Sequence, residues 1–75
     1  MDTTKLEKVF VDNLKVKTTE YGIYVETYGI IDTPTRMGTC HYAQAYPKGT
    51  TRMEAVKRFI DFYVPMNYQD NQVNH

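Results

Sequence analysis

The sequence predicts an α+β fold: a three-stranded antiparallel meander packed against a C-terminal helix, with a short N-terminal helix, in the order α-β-β-β-α. Three observations predict it. Apolar residues recur at helical spacing near both ends of the chain, they alternate with a period of two between Lys15 and Tyr46, and turn residues interrupt that middle stretch twice. The chain has 75 residues, enough for one domain. All the elements must therefore share a single core.

The first helix rests on Thr4-Lys5-Leu6-Glu7, which has the spacing of a capping box: the Thr4 hydroxyl accepts from the Glu7 N–H while the Glu7 carboxylate reaches back. Leu6, Val9, Phe10 and Asn13 then fall near one helical face, with Leu14 at its edge and Val11 on the wrong side. Because Val9 and Val11 also alternate, a strand over 8–16 is the competing reading. Val16 and Thr18 start the first strand, and Glu20-Tyr21-Gly22 reads as a turn. Residues 23–28 (IYVETY) form the clearest strand, with Ile23, Val25 and Thr27 pointing one way and Tyr24, Glu26 and Tyr28 the other. Gly29 marks a bulge before Ile30 and Ile31. Asp32-Thr33-Pro34-Thr35 turns the chain into a third strand over 37–46, which Pro47-Lys48-Gly49 ends.

A second capping box, Thr51-Arg52-Met53-Glu54, opens the closing helix, and Pro65 supplies its stop. Met53, Val56, Phe59, Ile60 and Tyr63 make its apolar face, with Ala55 and Phe62 at one border and Val64 at the other. That arc is wider than the roughly 100° stripe a helix needs to lie on a sheet. The excess at Phe62 is either covered by the first helix or used in contact with another molecule. The domain is expected to span 1–66, and the amide-rich segment 67–75 to be a flexible polar tail.

Composition narrows the function. Nine basic and nine acidic residues give a formal net charge of zero, whereas dedicated nucleic-acid binders carry a positive excess that neutralises phosphate. Cys40 is the lone cysteine, so an intrachain disulfide is excluded, and one unpaired thiol fits a reducing, cytoplasmic setting. No stretch approaches the length of a membrane span, and the N-terminal residues lack the apolar run of a signal peptide. Cys40 and His41 are adjacent in a strand, point to opposite faces and cannot readily act as nucleophile and base. Cys40, His41 and the scattered carboxylates lack metal-ligand spacing. Gly22, Gly29, Gly38 and Gly49 are isolated, without phosphate-loop spacing. The expectation is a non-enzymatic chain with no cofactor, no metal and no small-molecule substrate.

The seven tyrosines carry more information. Tyr24 and Tyr28 share one face of the second strand, and Tyr42 and Tyr46, alike in parity, can join them from the third. Tyrosine suits protein interfaces through its large rigid ring and polar tip. A tyrosine-bearing sheet can also stack bases. Charge is uneven: residues 1–32 hold four lysines against six acids, and 33–75 hold five basic residues against three acids. Lys48, Arg52, Lys57 and Arg58 gather around the closing helix, where a helix N-terminus can hold phosphate.

The α-β-β-β-α order resembles that of double-stranded RNA-binding domains, and PKGTTRMEAVK at 47–57 sits where their closing helix begins. Those domains place a lysine cluster at that helix start; here only Lys48 and Arg52 stand near it. A β-β-β-α reading is similar to the small DNA-binding sheets of phage integrase arms. Size and plain chemistry also look like those of small accessory proteins of phages and mobile elements, which implies binding and modulating a protein in the host cytoplasm. The leading expectation is thus a module that docks onto another protein or a second copy of itself through Tyr24, Tyr28, Tyr42, Tyr46, Arg58 and Phe62. The alternative is a nucleic-acid binder using Lys48, Arg52, Lys57 and Arg58.

Overall fold

Alternating side chains and two short turns give one antiparallel sheet, and the helical stretches at either end close over it. A computed structural model describes residues 3–72, with elements α1 (Thr3–Asp12), β1 (Lys15–Thr19), β2 (Gly22–Thr33), β3 (Arg36–Pro47) and α2 (Arg52–Asp70). The strands lie in the order β1-β2-β3. The α-β-β-β-α order is the one the sequence predicts. Helix α1 already includes Thr3, one residue before the expected cap at Thr4. Leu6 and Phe10 turn inward and Val11 is exposed. The Asn13 side chain ends the helix by donating to the Val9 carbonyl at 2.7 Å.

β2 and β3 pair over their whole length, from Gly22↔Pro47 to Thr33↔Arg36, whereas β1 pairs only with residues 22–26 of β2. The ladder passes through Gly29↔Cys40 without interruption, so no bulge forms at Gly29. Glycine is needed there for another reason: a Cβ would lie 2.7–2.9 Å from the side chain of Asn67.

The register sets odd-numbered residues of β2 opposite even-numbered residues of β3. Directly opposed residues of an antiparallel pair share a face. Ile23, Val25 and Thr27 therefore face the same way as Tyr46, Gln44 and Tyr42. Both helices cover that face. Phe10, Val25 and Phe59 are fully buried there, joined by Ile23, Tyr42, Ala55 and Val64. Phe10 packs on Phe59 and Tyr42 with ring centroids 5.7 and 5.8 Å away, and its carbonyl accepts from the buried Thr27 hydroxyl at 2.6 Å. Burying one such phenylalanine is worth about 1.5–3 kcal/mol. The expectation that Tyr42 and Tyr46 share a face with Tyr24 and Tyr28 is corrected: Tyr42 is core and Tyr46 half-buried beside it. Parity within each strand was read correctly, but the turn length that fixes the cross-strand register was not.

Helix α2 starts as expected, with the Thr51 hydroxyl accepting from the Glu54 N–H at 3.1 Å. Its buried stripe runs through Ala55, Phe59, Val64 and Asn67. The stripe is rotated from the expected face, and Met53 and Phe62 remain 82% and 61% exposed. Pro65 does not stop the helix, which continues to Asp70. Residues 67–72 are therefore not a tail, while 73–75 lie outside the described residues. The proline removes one N–H from the helical ladder, and hydrogen bonds to the sheet hold the residues that follow. The Asn67 amide donates to the Ile30 carbonyl at 3.2 Å and to the Tyr42 hydroxyl at 3.3 Å. Tyr42 in turn donates to Asp70. The Asn71 amide donates to the same Ile30 carbonyl at 2.9 Å and accepts from the Asp32 N–H at 2.8 Å. Among the described residues no helix is long and apolar enough to cross a membrane.

Candidate functional site

With both helices on one face of the sheet, the other face has no covering layer among the described residues. β2 presents Tyr24, Glu26 and Tyr28 there, β3 presents His41, Ala43 and Ala45, and β1 presents Lys15 and Lys17. Tyr28 and His41 are direct cross-strand partners, with ring centroids 5.0 Å apart. Glu26 bridges Tyr24 and His41: its carboxylate meets His41 Nε2 at 3.1 Å and accepts from the Tyr24 hydroxyl at 3.4 Å. The bond to His41, aided by Lys17, holds the Glu26 carboxyl below its ordinary range against an opposing effect of burial. Partial burial, then the neighbouring Glu26 charge, raises the Tyr24 hydroxyl. The result is a half-desolvated polar and aromatic patch whose outermost members, Tyr28 and His41, are exposed.

A second surface lies along the seam of β3 and α2. Gln44, Tyr46, Arg58, Phe62 and Tyr63 line a cleft of about 280 Å³. The Tyr63 hydroxyl donates to Gln44 Oε1 at 2.9 Å and to the Ala43 carbonyl at 3.2 Å. Phe62 stands edge-on to Tyr63 at 4.8 Å. Burial, then Tyr63, raises the Tyr46 hydroxyl, with Arg58 acting in the opposite direction. A third, shallower groove of about 660 Å³ runs along α2 beside Arg52, Met53, Val56, Lys57, Ile60 and Asp61.

The predicted interface residues thus divide three ways. Tyr24 and Tyr28 share the open face; Tyr46, Arg58 and Phe62 meet at the seam; Tyr42 belongs to the core. The predicted cations divide as well: Arg52 and Lys57 line one groove, Arg58 lines another, and Lys48 is exposed between β3 and α2. Cys40 and His41 do point to opposite faces, with Cys40 half-buried on the helix side. Sequence reasoning gave Glu26 a face but no role, and weighed His41 only beside Cys40. The available signal was the i,i+2 pair Tyr24 and Glu26, but the partner from β3 depends on register. Among the described residues, no group of three or more His, Cys, Asp and Glu side chains is arranged to hold a metal ion. The chain matches no protein-family model, no curated protein and no solved structure.

Proposed function

We propose that this chain is a small non-enzymatic protein-interaction module that docks a partner protein on the open sheet face around Tyr24, Glu26, Tyr28 and His41. One observation carries the reading: on a sheet face that no other described element covers, Tyr24 and His41 both meet the Glu26 carboxylate and Tyr28 packs on the His41 ring. The hydrogen bonds to Glu26 hold Tyr24 and His41 in place before any partner arrives, so little side-chain entropy remains to be lost on docking. Tyrosines so placed supply apolar area with polar tips, the mixture that protein interfaces favour. Nucleic-acid binding through Lys48, Arg52, Lys57 and Arg58 has less support, because Arg52 and Lys57 line one groove, Arg58 lines another and Lys48 lines neither, and a carboxylate sits among the tyrosines.

The test compares wild type with a Tyr24→Ser, Tyr28→Ser double variant as baits in the same extract. Because both side chains lie on the uncovered face, stability should fall by about 1 kcal/mol or less per site. The proteins retained by wild type should be lost from the variant. Retention of every one of them by a folded double variant would overturn the assignment. So would retention of nucleic acid that falls away steeply between low and moderate salt.

A further inference from the structure

In a strand, the N–H and C=O of one residue point to the same edge, and successive residues alternate edges. Ile30 and Asp32 direct theirs away from β3, toward α2. The odd-numbered residues of β2 therefore face β3, the even-numbered residues of β3 face back, and Met37, Thr39, His41, Ala43 and Ala45 direct theirs to the free edge of β3. Two side-chain contacts agree with this assignment. The Tyr63 hydroxyl reaches the Ala43 carbonyl at 3.2 Å, and the Gln44 amide reaches the Ala45 carbonyl at 3.1 Å. One half of the free edge is thus capped by side chains. Over Met37, Thr39 and His41 no described residue caps the edge and all three are exposed, with no charged residue between Arg36 and His41 to discourage strand pairing.

We infer that this chain forms a two-fold symmetric dimer through antiparallel pairing of β3 with β3 of a second copy, centred on Thr39. That register matches the uncapped segment to itself: Met37 lies opposite His41 of the second copy, Thr39 opposite Thr39, and His41 opposite Met37. Each of these pairs exchanges both of its N–H···O bonds, and the carbonyls already held by Tyr63 and Gln44 are not needed.

The side chains support the same centre. Met37 is 79% exposed in the single chain. In the dimer it lies against His41 and Tyr28 of the second copy, a sulfur–aromatic contact. On the helix side, Gly38 comes opposite Cys40 of the second copy, and no heavy atom lies within 4 Å of where a Cβ on Gly38 would stand. With zero formal net charge, the two copies do not repel. The two-fold axis stands perpendicular to the sheet. The open faces of both copies consequently point the same way, on one continuous six-stranded platform.

The dimer stands on the β3 edge and does not depend on the docking role of the open face, so each can fail alone. Sedimentation of the full chain over a concentration series, up to about 1 mM at the weak end of specific association, should show a monomer–dimer equilibrium. Thr39→Lys sets two ammonium groups opposite each other on the open face and should weaken association about tenfold or more. Its circular dichroism and melting should stay unchanged. If that variant misfolds, Met37→Lys, at the exposed rim of the same seam, replaces it. In a Cys40→Ser background, Thr39→Cys should crosslink on oxidation and Ala45→Cys should not, since paired Cα atoms about 5.5 Å apart lie within disulfide reach. A wild type that stays monomeric throughout, or association undiminished in both lysine variants, or crosslinking through position 45 in place of 39, would overturn the inference.

Discussion

β2 and β3 each present a length of edge with no neighbouring strand, yet the two are finished differently. β1 reaches only as far as residue 26 of β2, and beyond it the end of α2 takes over: Asn67 and Asn71 reach the Ile30 carbonyl and the Asp32 N–H as a further strand would. Among the described residues β3 has side-chain caps at Ala43 and Ala45, and its Met37–His41 stretch extends beyond those caps. An uncovered edge invites pairing with another chain. The difference separates an edge closed for stability from one left available for contact. It also explains why α2 must run past Pro65, since the amides that close the β2 edge lie beyond it.

The largest effect should come from opening the closed edge. Asn67 is 1% exposed, and its amide is shared between Ile30 and Tyr42. Asn67→Ala removes both bonds and leaves a gap over Gly29. The expected loss is about 2 kcal/mol, or roughly 10 °C in Tm for a domain of this size. Gly29→Ala should reproduce much of that loss from the other side, because its Cβ would displace the Asn67 side chain. Thermal melts of both variants check this. A change within about 2 °C, well under 1 kcal/mol for such a domain, would mean that the apolar core alone holds α2 on the sheet.

A smaller, pH-dependent effect should come from Tyr42, which ties β3 to the same end of α2. Burial first, and then the bond to Asp70, raise its hydroxyl above the ordinary tyrosine value of about 10. The folded chain therefore keeps a proton that the unfolded chain gives up. This contribution is fully present below about pH 10 and is lost progressively as the pH rises above it. Tyr42→Phe should lower stability by about 1–2 kcal/mol at neutral pH. It should also lose stability less steeply above pH 10 than wild type does. Tyr24, Tyr46 and Tyr68 are raised as well, so the slope should shrink without vanishing. Denaturant melts at a series of alkaline pH values measure it, and an unchanged slope would place the Tyr42 proton outside the folding equilibrium.

How much of this was legible in the sequence follows the range of the interactions. Alternation in IYVETY and the Thr51 cap on the Glu54 N–H are local, and both appear in the structure where the sequence puts them. The placement of Tyr42 and Tyr46 depends on the register of a long hairpin, and parity within one strand does not reveal it. Asn67, Asp70 and Asn71 look like a polar tail because their partners, Ile30, Asp32 and Tyr42, are distant in sequence. Pro65 reinforced that reading, since a helix stop is the commonest meaning of a proline at such a position. At the candidate site, Tyr24 and Tyr28 could be found from strand parity. Glu26 and His41 needed the cross-strand pairing that joins them.

The smallest effect tests whether side-chain caps also set the register of β3. Gln44→Ala removes the donor to the Ala45 carbonyl and one acceptor of the Tyr63 hydroxyl, while Tyr63 keeps its bond to Ala43. Gln44 is exposed, so stability should change by no more than about 0.5 kcal/mol. Pairing centred on Thr39 does not use the Ala45 carbonyl, and its strength should hardly move. What should change is the choice of register. With Ala45 uncapped, a pairing centred on His41 gains its outermost position, Ala45 opposite Met37, while its Ala43–Thr39 position still shares the Ala43 carbonyl with Tyr63. Oxidation of His41→Cys in the Cys40→Ser background should therefore give more crosslinked dimer when Gln44→Ala is added. An equal yield with and without that substitution would assign the register to Met37 and Thr39 alone, and leave the Gln44 cap a purely local contact.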